Sequence, residues 1–211
     1  MYKDFFKKII DVVLSFIGIV VLAIPMAIIS LAIVIDDPGP VLFKQKRVGQ
    51  KKNGEITYFQ IWKFRTMKTS TPKDVPTHML DTPEQYLTRI GGFLRKSSLD
   101  ELPQIVQIFT QKMSIIGPRP ALWNQFDLIE EREKYGANNV KPGLTGWAQI
   151  NGRDEVTIEQ KAKLDGEYVE KLSFSFDCKC FFGTFLPVLR QEGVVEGGTG
   201  SMDKQNKEDN N

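Results

Sequence analysis

The first 35 positions and the rest of the chain obey different hydrophobic rules. From Ile9 to Ile35, "IIDVVLSFIGIVVLAIPMAIISLAIVI", Asp11 is the only charge, and apolar residues occupy every helical face instead of one stripe. About 20 apolar residues suffice to cross a bilayer, so a membrane helix is expected. Pro25 lies inside the run, removes a backbone donor and predicts a kink or break. No small-residue cleavage site follows, which argues against a removable signal peptide. "DDPGP" (36–40) then reads as a turn that releases the chain from lipid.

Beyond it the pattern shortens. "VLFKQKR" and "EITYFQIWKF" are rich in β-branched and aromatic residues, and "VGQKKNG" between them ends in Asn-Gly, the signal of a β-hairpin. Residues 68–84 hold three prolines among polar residues and read as a long loop. Helical patterns cover 84–96, a stretch from about Asp100, 121–135 and 158–172, while 141–153, with glycines at 143, 146 and 152, reads as a loop. Residues 174–190, with five phenylalanines, fit either the core or a segment resting on the bilayer interface. The tail from 196 to 211 has no hydrophobic periodicity and is expected to be disordered. The fold class expected is mixed, helix-rich α/β: a membrane helix over 1–37, a compact domain over 38–195 and the tail.

Charge refines the membrane reading. The net charge of +2 does not call for nucleic acid. Its distribution says more: Lys3, Lys7 and Lys8 precede the apolar run, and five cations without an acid lie between Pro38 and Gly54. Cytoplasmic flanks attract Lys and Arg. Two basic flanks favour a re-entrant helix that turns back at Pro25, with a kinked single span as the alternative. Cys178 and Cys180, one residue apart, read as reduced thiols, and a sole histidine, His78, argues against a histidine triad or multi-histidine metal site.

The candidate chemistry lies in "SSLDELPQ" (97–104), where Asp100 and Glu101 stand side by side after Arg89, Arg95 and Lys96. Ser98 and Glu101 have capping-box spacing. Pro103 tells against that register, because with Ser98 as cap it falls at the fifth helical position. A helix beginning at Asp100 puts the proline in the first turn and both carboxylates at a positive helix terminus. Spacing alone leaves capping and chemistry both open. The arginines favour chemistry: guanidinium groups bind phosphate oxygens bidentately, and Pro118 and Pro120 would hold Arg119 on a stiff backbone.

Five segments, "KQKRVG", "IWKFRTM", "LRKSSLDELPQ", "MSIIGPRPAL" and "VKPGLTGWAQINGRDE", occur in the order and spacing of the bacterial sugar transferases, the monotopic phosphoglycosyl transferases, which the chain resembles over residues 1 to about 195. The resemblance implies transfer of a sugar 1-phosphate from a UDP-sugar to polyprenol (undecaprenyl) phosphate at the bacterial inner membrane, with the catalytic domain facing the cytoplasm. Such a step starts assembly of capsule, exopolysaccharide or glycoconjugate. It also implies Mg²⁺ and a compact domain resting on the membrane above a re-entrant helix. Carried over by motif, Asp100 would be the nucleophile and Glu101 its partner, the two holding the metal. Lys63, Arg65, Arg95 and Arg119, flanked by Pro118 and Pro120, would bind or organise phosphate. Lys141, Gly143, Thr145, Gln149, Asn151 and Arg153 would form the nucleotide side. Family members often carry Ser-Pro at the helix break, where this chain has Ile24-Pro25. Expected partners are the UDP-sugar, polyprenol phosphate and membrane lipid, with a homo-oligomer left open. A non-catalytic membrane-anchored assembly protein and a conventional glycosyltransferase releasing UDP are the competing readings.

Overall fold

The computed structural model describes residues 2–71, 83–152 and 156–190. The loop expected over 68–84 lies mostly outside them, as do His78, Arg153 and the tail from 196 to 211.

Helix α1 (Lys7–Asp36), entered through a π-helical turn at Tyr2–Phe6, is long and apolar enough to cross a membrane. It continues across Pro25 as one element. Polar contacts bind both of its ends to the same compact domain. Near the start, Asp11 accepts from the Ser114 hydroxyl at 2.7 Å and from the Ile115 amide at 3.0 Å. Lys7 pairs with Asp177 at 2.6 Å, and Tyr2 and Tyr168 donate to the same carboxylate. At the far end, Asp36 accepts from the Ile90 amide at 3.0 Å, and Arg65 grips Asp37 through its carboxylate and its carbonyl. Between these anchors α1 packs on the domain: a methyl on Gly18 would meet Ile105 at 2.3 Å, and Met26, Ile29 and Ile33 join Phe64 and Leu94. The other side is bare. Val20, Val21, Ile24, Ile28, Leu31 and Ile35 are each more than half exposed, an apolar face that water would not tolerate.

Strands β1 (Leu42–Lys52) and β2 (Glu55–Phe64) form the expected antiparallel hairpin. The turn is shorter than the sequence suggested. Asn53 and Gly54, both at positive φ, make it alone, and "VGQKK" belongs to β1 with an irregularity between Val48 and Lys51. Two-residue turns of this backbone match the strand twist, so pairing extends up to them.

The helix expected over 84–96 is divided: a 3₁₀ turn at Pro83–Tyr86 precedes α2 (Arg89–Lys96), whose cap Thr88 accepts from the Gly91 amide at 2.9 Å. Next come α3 (Gln104–Phe109), β3 (Ser114–Ile116) and α4 (Phe126–Lys134), shorter than the 121–135 pattern. The loop expected over 141–153 contains β4 (Gly143–Thr145), parallel to β3, and the single turn α5 (Trp147–Ile150). A three-residue strand among glycines has too few side chains to declare a period. Helix α6 (Ile158–Glu170) starts at a Thr157–Gln160 capping box, and α7 (Phe174–Arg190) follows. One face of α7 is core and another is open: Cys180 is buried with Ile116 and Tyr168, while Phe174 and Phe182 are more than half exposed.

Asp11 is the only charge between Ile9 and Ile35 and is held by two donors. Asp11→Ala should leave Ser114 and Ile115 unpaired, cost about 1–3 kcal/mol, and lower the unfolding midpoint in detergent by roughly 3–10 °C. Asp11→Asn, which keeps an acceptor for Ile115, should lose less. An Ala variant that melts with wild type would remove Asp11 as an anchor.

Candidate active site

Four elements converge on the acidic pair. Lys63 comes from the end of β2, Arg95 from the last turn of α2 and Arg119 from the segment after β3. The acids themselves ride a 3₁₀ turn, Leu99–Glu101, and not the first turn of α3, which begins only at Gln104 after Pro103. The capping-box reading is not realised: Ser98 sits in the left-handed region and makes no side-chain cap bond, and the Glu101 carboxylate turns toward cations. Pro103 explains the delay, because its missing donor and fixed φ suit a helix entrance better than an interior.

Glu101 accepts from Lys63 Nζ at 2.8 Å and from Arg119 Nη2 at 2.7 Å, with Arg119 Nη1 3.4 Å from its second oxygen. Burial opposes its charge, but Arg119 and Lys63 outweigh burial and hold the Glu101 carboxyl well below the ordinary glutamate range. Asp100 differs. It is 8% exposed, its carboxylate lies 3.8 Å from Lys63, and among the described residues no side chain hydrogen-bonds it. Burial pushes its carboxyl up, assisted by Glu101 and opposed by Lys63, Arg119 and Arg95. Adjacent carboxylates displaced in opposite directions have different tasks. Glu101 is committed to positioning the cations, and Asp100 keeps its lone pairs free.

Arg119 is held through its backbone. The carbonyls of Pro118, Arg119 and Pro120 accept from the Gly143 amide at 2.9 Å, Arg132 at 2.9 Å and Arg47 at 3.1 Å. Gly143 must be glycine for this, since a methyl there would fall 2.1 Å from the Gly117 amide. Arg132 is buried and bonded twice to the equally buried Asp165, at 2.8 and 2.6 Å. Sequence reasoning did not find Arg47, Arg132 or Asp165. Arg132 stands among the charges of "EEREK", and nothing in the spacing ties it to an acid 33 residues on.

Other expected site residues go elsewhere. Arg95 donates to Thr66 at 2.9 Å and adds positive charge near Asp100. Arg65 ties down the chain just after α1 through Asp37 and the Pro40 carbonyl. Lys141 reaches Gln111, Thr145 pairs with Thr184, Asn151 donates to the Trp147 carbonyl, and both polar atoms of Gln149 are buried without a partner. None of the four makes a hydrogen bond or ion pair with the dyad. Gly143 and Thr145 act on it through the backbone of the Arg119 segment, Thr145 accepting from the Gly117 amide at 2.8 Å.

The described residues contain no cluster of three metal-ligating acids, histidines or cysteines. Two adjacent carboxylates nonetheless suit Mg²⁺, which takes one or two from protein and completes its shell with water and substrate phosphates. Asp100 has the open oxygens for it, and Glu101 would contribute only with its cations in place.

A family model described as bacterial sugar transferase matches residues 2–191. The chain belongs to the bacterial sugar transferase family. It is 38% identical over 185 residues to the UDP-glucose:undecaprenyl-phosphate glucose-1-phosphate transferase of Escherichia coli (strain K12), a match covering 84% of this chain and 39% of that protein. The uncharacterized sugar transferase EpsL of Bacillus subtilis (strain 168) is 41% identical over 157 residues, 74% of each chain. The undecaprenyl-phosphate galactose phosphotransferase of Salmonella typhimurium is 30% identical, over 90% of this chain and 42% of its own length. The chain thus spans about two fifths of the first and third relatives. In this member of the family the acidic pair, with its cations, lies wholly within the matched region.

Removing one partner of a buried ion pair leaves an uncompensated charge. Arg132→Met should cost about 3–5 kcal/mol, and a second change, Asp165→Leu, should restore most of it. A double variant as unstable as the single one would mean that the unpaired Asp165 is not the source of the loss.

Proposed function

We propose that the chain transfers a sugar 1-phosphate from a UDP-sugar to polyprenol phosphate, releasing UMP through a covalent intermediate on Asp100. One observation carries the reading: Asp100 is a buried carboxylate with free lone pairs, beside a glutamate that holds Lys63 and Arg119 on one carboxylate oxygen. The names of the relatives, which specify undecaprenyl-phosphate sugar phosphotransfer, support the substrate class.

An Asp100 oxygen attacks the β-phosphorus of the UDP-sugar. The bond from that phosphorus to the bridging oxygen breaks, and UMP leaves with the electron pair. The phosphate of polyprenol phosphate then attacks the aspartyl phosphorus, and Asp100 departs as carboxylate with the sugar diphosphate on lipid. Splitting the transfer in two lets each anionic substrate meet the site in turn. Lys63 and Arg119, anchored on Glu101, have further donors for phosphate oxygens, and Arg95 adds a third cation. Mg²⁺ held by the dyad would offset the diphosphate charge that repels an anionic nucleophile.

The membrane arrangement belongs to the same proposal. Residues 1–37 enter and leave on the cytoplasmic face of the inner membrane, turning in the region of Pro25, and 38–195 form the catalytic domain. The polar anchors at both ends of α1 support this, because a helix whose two ends bind one domain cannot place them on opposite sides of a bilayer. The most exposed apolar residues include Val21 and Ile24, midway between the anchors. Exposed Phe174 and Phe182 of α7 would rest at the interface.

Product identity tests the chemistry. With undecaprenyl phosphate and a panel of UDP-sugars, the purified protein should release UMP; UDP would make it a conventional glycosyltransferase, and no nucleotide an assembly protein. The panel should include glucose and galactose, named in the relatives, and 6-deoxy-N-acetylhexosamines, whose transferases the "RPALWNQFDLIEER" stretch resembles.

Topology has its own test. With Cys178 and Cys180 replaced by serine, a cysteine at exposed Asp4 should resist an impermeant maleimide on intact cells and react after lysis. Prompt labelling of intact cells would mean a spanning helix.

A further inference from the structure

Away from the dyad, the N-terminal turns of α1 close a cavity of about 390 Å³ against the end of β1 and the segment before β4. Five lysines line it: Lys3, Lys7, Lys8, Lys52 and Lys141. Neither acid of the dyad nor Lys63, Arg95 or Arg119 does. Two acids, Asp4 and Asp11, also face the cavity, but Asp11 commits both oxygens to Ser114 and Ile115. Lys7 is neutralised by Asp177, and Lys141 donates to Gln111 at 2.5 Å. Lys3, Lys8 and Lys52 form no ion pair among the described residues. The wall is therefore a built set of cations with spare donors and a cationic excess.

Convergence of like charges is costly unless an anion sits among them. Lys141 registers the cost: burial first, and then Lys8, Lys52 and Lys7, hold its ammonium below the ordinary lysine range against the pull of Asp11. The position of the cavity narrows the choice of anion. It lies where Lys3, Lys7 and Lys8 give way to the apolar run from Ile9, and Phe5 and Phe6 beside it are 58% and 47% exposed. In a helix that enters a bilayer, this is the level of lipid headgroups.

We propose that this cavity binds the phosphate of an anionic phospholipid headgroup, as a lipid site separate from the Asp100 dyad. Phosphate oxyanion is the chemistry recognised, and a soluble phosphate or nucleotide would be the competing source. The inference rests on α1 lying in the membrane and not on catalysis at Asp100, so its readout is bound lipid and not turnover.

The full chain should be reconstituted in nanodiscs of equal phosphatidylcholine and phosphatidylglycerol, and lipids retained on release measured by native mass spectrometry. Wild type should retain phosphatidylglycerol in preference by roughly ten-fold or more, and Lys8→Gln/Lys52→Gln should retain it with little or no preference. Unfolding curves check that the variant is folded; Lys52→Gln alone serves if the double variant is not. No preference in wild type, or an undiminished one in the folded variant, would overturn the proposal. Displacement of the retained lipid by millimolar inorganic phosphate or UMP would assign the cavity to a soluble anion and overturn it equally.

Discussion

Glu101 gives its carboxylate to cations from two other elements, and that commitment decides what its neighbour can do. With Lys63 and Arg119 drawn onto Glu101, the hairpin, the 3₁₀ turn and the segment after β3 are fixed against one another around a single partly buried anion. Asp100 is left in the same positive surroundings, 3.8 Å from Lys63 and without a side-chain hydrogen bond among the described residues. Burial raises its carboxyl, which makes the anion a better nucleophile, while nearby cations keep that anion accessible. Were Glu101 merely a helix cap, Lys63 and Arg119 would have no common anchor, and Asp100 would be the obvious residue for them to collapse upon.

The arrangement reaches outward through the backbone. Three successive carbonyls around Arg119 are each hydrogen-bonded, so the guanidinium is presented from a short segment with little freedom. The segment leans on β4 through glycines whose backbones touch, and on Arg132, which is itself held by Asp165. Preorganisation of this kind places the cost of aligning charges in folding and removes it from the reaction. Helix α1 is fixed by the same means: carboxylates at Asp11, Asp36 and Asp37 on one side of the junction, and Asp177 on the other, meet donors from the facing element.

Local chemistry was readable in the sequence where it was local. Asn53-Gly54 announced the hairpin turn, the pattern over 158–172 announced α6, and the run from Ile9 to Ile35 declared an apolar helix. The dyad and the arginine between two prolines stood out by their neighbours, and Lys63, Arg95 and Arg119 do gather around Asp100 and Glu101. What escaped depends on long-range pairing. Strand β4 is three residues long and exists because Gly117 and Gly143 can meet. Arg65, adjacent in sequence to catalytic-looking residues, points to Asp37 because β2 ends where the chain leaves α1. Arg132 looks like any helical surface charge until α4 packs on α6 and brings Asp165 beneath it. Such contacts have no signature in spacing.

The central claim is that Asp100 becomes covalently bonded to the sugar phosphate. Intact-protein mass spectrometry of the chain with a UDP-sugar, Mg²⁺ and no lipid acceptor tests it most directly. The account predicts a mass increase equal to one sugar phosphate, mapped by fragmentation to Asp100, lost on adding undecaprenyl phosphate and absent in Asp100→Asn. Turnover to lipid-linked product with no such adduct trapped on rapid quenching, or the same adduct in Asp100→Asn, would contradict it.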